Sequence, residues 1–239
     1  NHDSIRPCDG DNLTRYVRFL VRHLATSSNP NRILQTLRKS FSGISMIEEM
    51  TRNALKNNEC DHAELARTIA KFVDNKKSIE EVSENVLSLL HTGIPANTLR
   101  EVLSLLQKYT KQQVYVQLAN DIQIKFSPDV MQGLVDVACN DIQIEASRRL
   151  IMLSLKKSFE EVNQAELSVA IINKIKQFEV QFKLHKEELA DVLREGFETT
   201  TSDLVKNAIL MLVSSFKIKP QFKKTLAGED LEYYKKWSK

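Results

Sequence analysis

The side chains able to do chemistry in this sequence are few and widely spread. Its five histidines, His2, His23, His62, His91 and His185, lie far apart, and the nearest approach to a metal signature is "CDH", Cys60 with His62. Such a pair holds zinc only with a second pair at matching spacing, because the ion takes four ligands in a tetrahedron. No second pair follows, so neither a metal nor a cofactor is expected. Adjacent carboxylates are the other candidates, at Glu48 and Glu49, Glu80 and Glu81, and Glu160 and Glu161. Two acids can divide general-acid and general-base work. These pairs, however, follow Ser- or Thr-type caps at expected helix starts, where a carboxylate interacts favourably with the positive end of the helix dipole. The motifs GxGxxG, GxxxxGKS/T, GxSxG and HExxH do not occur, which removes the common phosphate-cradling, nucleophile-elbow and zinc-protease arrangements. The expectation is a protein that is not an enzyme.

Composition bounds the elements that would position any site. Six Gly and five Pro in 239 residues fall well below the roughly 12% of average usage, and most lie between apolar-periodic segments, which favours long helices with short connections. A formal net charge of +3 gives a polar surface without the overall field of a dedicated nucleic-acid binder. The charge is uneven, since residues 217–239 carry seven Lys against three acids and residues 1–59 carry nine Lys or Arg against six acids. Both ends are therefore basic around an acidic middle. Three scattered cysteines, Cys8, Cys60 and Cys139, do not make a disulfide framework and suit a reducing, intracellular compartment such as cytoplasm or nucleus. No apolar run approaches the roughly 18 residues of a membrane span, so no membrane partner is expected. The start "NHDSIRPCDG" has no signal-peptide pattern and no initiator Met, as a fragment of a longer chain would.

A buried helix face repeats at i, i+3, i+4 and i+7. Leu99, Val102, Leu103 and Leu106 fill that pattern, and steps of 33 back and 32 forward land on Ala66, Ile69, Ala70 and Val73 and on Met131, Leu134, Val135 and Ala138. A further step of 32 back gives Leu34, Leu37, Arg38 and Phe41, with Arg38 breaking the apolar set. Two steps of 37 forward give Ser168, Ile171, Ile172 and Ile175, then Val205, Ala208, Ile209 and Leu212. A second series alternates with the first, through Ile47, Met50, Ala54 and Leu55, then Ile79, Val82, Val86 and Leu87, then Val114, Leu118 and Ala119, then Ala146, Leu150 and Ile151. Ser45 with Glu48 and Ser78 with Glu81 read as capping boxes at two of these helix starts. The pentapeptide "NDIQI", at 120–124 and again at 140–144, falls at different places in the unit and is not the repeat. "QVYVQL" with "IQIKF" also fits an alternating β-hairpin, but two lone strands would leave unpaired edges, and helix is preferred.

The unit is thus a helical hairpin, and hairpins of this period bury their second face by stacking. The expected fold is all-α, a right-handed α-solenoid of about five to six helical hairpins in a single domain over 1–239. Within it, 1–29 holds an N-terminal helix, 30–156 the repeats of period 32–33, 157–216 longer repeats of period 37, and 217–239 a basic aromatic tail or cap.

The stretch from Leu65 to Leu106, with its Glu-rich second helix and the loop "GIPANT" at Gly93 to Thr98, resembles a pentatricopeptide repeat, within the wider tetratricopeptide-like class of helical hairpins. The resemblance extends from Leu34 to Ala138. It implies RNA reading by the residue after the first apolar position of each first helix. Those positions hold Gln35, Arg67, Arg100, Gln132, Val169 and Lys206, and the basic ones would track phosphates. The leading expectation for function is a non-catalytic scaffold binding another protein, with RNA or single-stranded nucleic acid as the alternative partner. In the tail, Tyr233, Tyr234 and Trp237 stand among lysines. They form either a helix capping the end of the array or an aromatic anchor for a partner.

Overall fold

A computed structural model describes residues 10–41, 45–122, 127–160, 164–223 and 226–237, with side chains from residue 12 onward. The protein is all-α, and no strand occurs among the described residues. The chain divides into two compact units, Asn1–Lys111 and Gln112–Lys239.

The first unit holds α1 (Gly10–His23), α2 (Pro30–Ser40), α3 (Ile47–Leu55), α4 (His62–Asp74), α5 (Ile79–Leu90) and α6 (Ala96–Leu105). Local chemistry sets their starts. The Asn29 side chain accepts from the Arg32 N–H and is followed by Pro30; the Asp61 carboxylate accepts from the Ala63 N–H. Each satisfies an amide that the helix cannot. Between α5 and α6, Gly93 takes φ +76°, a left-handed conformation that costs other residues a steric penalty.

One of the two expected capping boxes forms in altered shape and the other does not form. Ser78 Oγ accepts from the Glu81 N–H at 3.3 Å, while the Glu81 carboxylate accepts from the Lys77 N–H, one residue outside the cap. α3 instead begins after Met46, with no side-chain cap. Ser45 lies one position too early to reach the free amides.

The helices pack with their second neighbours: α4 on α2 and α6, and α3 on α1 and α5. The faces expected from the period line these contacts. Leu34, Leu37, Ala66, Ile69, Val73, Leu99, Val102 and Leu103 are all buried. Polar contacts link residues about one period apart. Asn53 Nδ2 donates to the Val21 carbonyl at 3.0 Å and Asn57 Nδ2 to that of Leu24 at 2.7 Å, across 32 and 33 residues. Asp74 accepts from the Gln107 N–H, 33 residues on, and from that of Lys108.

The second unit holds α7 (Lys111–Ile122), α8 (Pro128–Asn140), α9 (Glu145–Glu160), α10 (Ala165–Gln177), α11 (Glu179–Phe182), a 3₁₀ turn over Lys183–His185, α12 (Lys186–Thr199), α13 (Asp203–Ser215), α14 (Lys219–Lys223) and α15 (Gly228–Trp237). α10 packs on α8 and α13, and α9 on α8, α10 and α12. Here the linking distance in sequence is longer. Arg148 Nε bonds His185 Nε2 across 37 residues, and Ser215 Oγ donates to Glu179 across 36. Both spans contain α11 and the 3₁₀ turn, which lie between α10 and α12. Helices α12 and α9 meet at Gly196, where a Cβ would overlap the Phe159 ring.

Glu160 departs from its expected place: it is the last residue of α9, not part of a first turn. The helix runs through Ser158, whose hydroxyl bonds Leu155 O and Ser168 Oγ instead of capping a new start. Glu161 lies outside the described residues, as do His2 and Cys8. "QVYVQL" is helical within α7, and most of "IQIKF" lies outside the described residues. The first "NDIQI" begins in the last turn of α7, with Gln123 and Ile124 outside the described residues, and the second bridges α8 and α9.

Candidate functional site

Three of the six register positions come together in the first unit. Gln35, Arg67 and Arg100 sit on α2, α4 and α6, helices that pack side by side, and all three are exposed. Around them the exposed residues of these helices include the cations Arg32, Lys39, Arg67, Lys71 and Arg100 and no Asp or Glu.

Beneath the row lies Glu64, 5% exposed. Its carboxylate is 3.0 Å from the Arg38 guanidinium and 3.7 Å from that of Arg67. Arg67 Nε also donates to the Ala63 carbonyl at 3.2 Å. Arg38 and Arg67 share a cavity of about 420 Å³ with Lys71, Asp74, Leu105 and Gln107. A buried carboxylate requires such partners, because desolvating it alone is costly. The sequence carried one signal of this arrangement. Arg38 is the position that broke the apolar stripe, and a charge on a core-facing position implies a buried partner. Nothing in the spacing pointed to Glu64 or Asp74.

The remaining register positions lie in the second unit and differ in character. Gln132 is half-buried and donates to Asp136, which also pairs with Lys174 of α10 at 3.1 Å. Val169 is half-buried. Lys206 pairs with Asp230 at 2.6 Å and stands over the rings of Phe197 and Tyr233 at 4.9 and 5.4 Å. Exposed acids, Asp129, Glu166 and Asp203, occupy α8, α10 and α13.

The C-terminal aromatics pack into their own unit. Tyr234 is buried against Phe222 and Trp237, and Lys219 lies 5.2 Å over the Trp237 ring. Tyr233 turns the other way, its ring edge-on to Phe197 and its hydroxyl donating to Asn207 Oδ1 at 3.2 Å. Burial, with the Asp203 charge, raises the Tyr233 pKa above its ordinary value.

The "CDH" pair separates. His62 Nδ1 shares a 3.0 Å hydrogen bond with Thr98 Oγ1, 36 residues on, while Cys60 is buried. Burial, helped by the Asp61 and Glu64 charges, pushes the Cys60 thiol up to about 11. Burial likewise pushes Cys139 up to about 11, against the opposing Lys174 charge. Both are protonated, unreactive thiols at neutral pH. Of the carboxylate pairs, Glu48 and Glu49 fall in the first turn of α3, and Glu80 and Glu81 in that of α5. Hydrogen bonds from its own N–H and from Ser78 lower the Glu80 pKa.

No protein-family model, curated protein or solved structure matches this chain. The pentatricopeptide resemblance therefore rests on the sequence pattern alone.

Proposed function

We propose that this protein is a non-catalytic scaffold for protein–protein interaction, built as a right-handed α-solenoid of about five to six helical hairpins. The observation that carries this reading is the polar linkage between residues about one hairpin apart, made by Asn53, Asn57 and Asp74 in the first unit and by Arg148 and Ser215 in the second. Each hairpin then serves as the floor for the next. Successive helices present their outer residues side by side, as an extended surface suited to a peptide or a helix. Buried, protonated thiols fit a reducing compartment, cytoplasm or nucleus. Affinity purification of the tagged chain, with bound protein quantified, tests it. A stoichiometric protein partner is expected, and recovery of the chain alone sinks the proposal.

A second reading, RNA or single-stranded nucleic acid, is favoured by Arg67 and Arg100, exposed on adjacent helices. Phosphate neutralisation releases counterions, so such binding must weaken steeply between about 50 and 200 mM salt. Affinity for a labelled uridine strand that ignores salt over this range rejects it.

A further inference from the structure

We propose that the outer face of α2, α4 and α6 docks an extended acidic peptide, with the cavity beside Arg38, Arg67 and Lys71 as the seat for one of its carboxylates. The proposal rests on the scaffold reading and names the chemistry of the partner.

Charge complementarity carries it. The exposed residues of these three helices include five cations, with the acids Asp74 and Glu101 only half-exposed, whereas the matching helices of the second unit expose Asp129, Glu166 and Asp203 against one cation, Lys176. Helix dipoles do not account for the row. Lys39 and Lys71 sit in last turns, where cations complement the carbonyl end, but Arg67 and Arg100 lie nearer the starts of α4 and α6, where that end exerts no pull. Packed helices are about 8–10 Å apart. Alternate residues of an extended peptide are about 7 Å apart, so successive acidic side chains on one face can meet cations of successive helices.

The cavity supplies a specific seat. Glu64 holds Arg38 and Arg67 from below, and the two carboxylates at the cavity, Glu64 and Asp74, leave one of its three cations, Arg38, Arg67 and Lys71, without a matching charge. Asp74, at the same cavity, accepts backbone N–H groups of Gln107 and Lys108, which holds its carboxylate against that loop. A planar guanidinium matches a carboxylate in two parallel hydrogen bonds. Leu105, 38% exposed at the rim, adds an apolar spot. A nucleic-acid strand fits less well, because no Phe, Tyr or Trp is among the exposed residues of these helices to stack a base.

The test uses the full chain and a fluorescein-labelled twelve-residue peptide of Glu with interspersed Leu, followed by fluorescence polarisation. Saturable, salt-sensitive binding is expected. Arg67→Gln with Lys71→Gln should weaken it about tenfold while lowering the thermal midpoint less than Arg38→Ala does, since Arg38 is the closer partner of Glu64. Glu80→Gln on α5 should leave affinity unchanged. The proposal is overturned if the wild-type chain does not bind the peptide, if the double variant binds as the wild type does, or if a labelled twelve-nucleotide uridine strand binds tenfold more tightly than the peptide. A copurifying protein retained equally by wild type and double variant overturns this site and leaves the scaffold reading standing. Absence of any copurifying protein overturns the scaffold itself.

Discussion

Arg38 and Glu64 illustrate how one misfit in a pattern identifies a buried pair. Arg38, whose side chain is 24% exposed, supplies the closer guanidinium to Glu64, and its removal leaves a desolvated carboxylate facing Arg67 alone. Arg38→Ala should lower stability by about 2 kcal/mol, and adding Glu64→Gln should recover much of that loss by removing the unpaired charge. Chemical denaturation of the single and double variants measures both, and a double variant no more stable than Arg38→Ala refutes the pairing. The thiols make a second residue-level prediction. Cys60 and Cys139 keep their protons up to about pH 11 when folded, against 9.0 ordinarily. The unfolded chain therefore deprotonates first. The contribution is intact below pH 9 and is lost as pH rises toward 11. Stability should fall across that window, and Cys139→Ala should flatten the fall when the two are compared by denaturation at each pH.

At the scale of elements, the close approach of α12 to α9 depends on Gly196. Gly196→Ala places a methyl into the Phe159 ring and should cost about 1–3 kcal/mol, the usual penalty of overpacking. An unchanged midpoint would mean that the ring moves aside freely. The C-terminal helix gives a graded prediction. Tyr234→Ala, at a buried position, should destabilise by about 3 kcal/mol and Trp237→Ala, half-buried under Lys219, by less. If Trp237→Ala instead leaves the thermal midpoint untouched while abolishing partner binding, α15 is an anchor and not a cap.

Over the whole molecule, α2, α4 and α6 of the first compact unit expose cations, whereas α8, α10 and α13 of the second expose Asp129, Glu166 and Asp203 with Lys176. Both units should contribute helical circular dichroism, whereas Trp237, the single tryptophan, reports from the second unit. Gly196→Ala should therefore lower the midpoint of the Trp237 emission transition, and a transition insensitive to it would place Trp237 outside the packed unit.

The sequence by itself determined the helical class and the apolar faces that the first-series helices bury. Each is a one-dimensional consequence of burying one side of a helix of 3.6 residues per turn. It misjudged Ser45 and Glu160, because a Ser followed by acids reads as a start wherever it falls, and only the run of the helix decides whether free amides are there to cap. Tertiary structure alone decided which charges meet: Lys206 with Asp230, Tyr233 turned from Trp237, and Glu64 beneath two arginines. Period tells which residues share a face, but a salt bridge depends on side chains from helices distant in sequence, whose approach is set by packing.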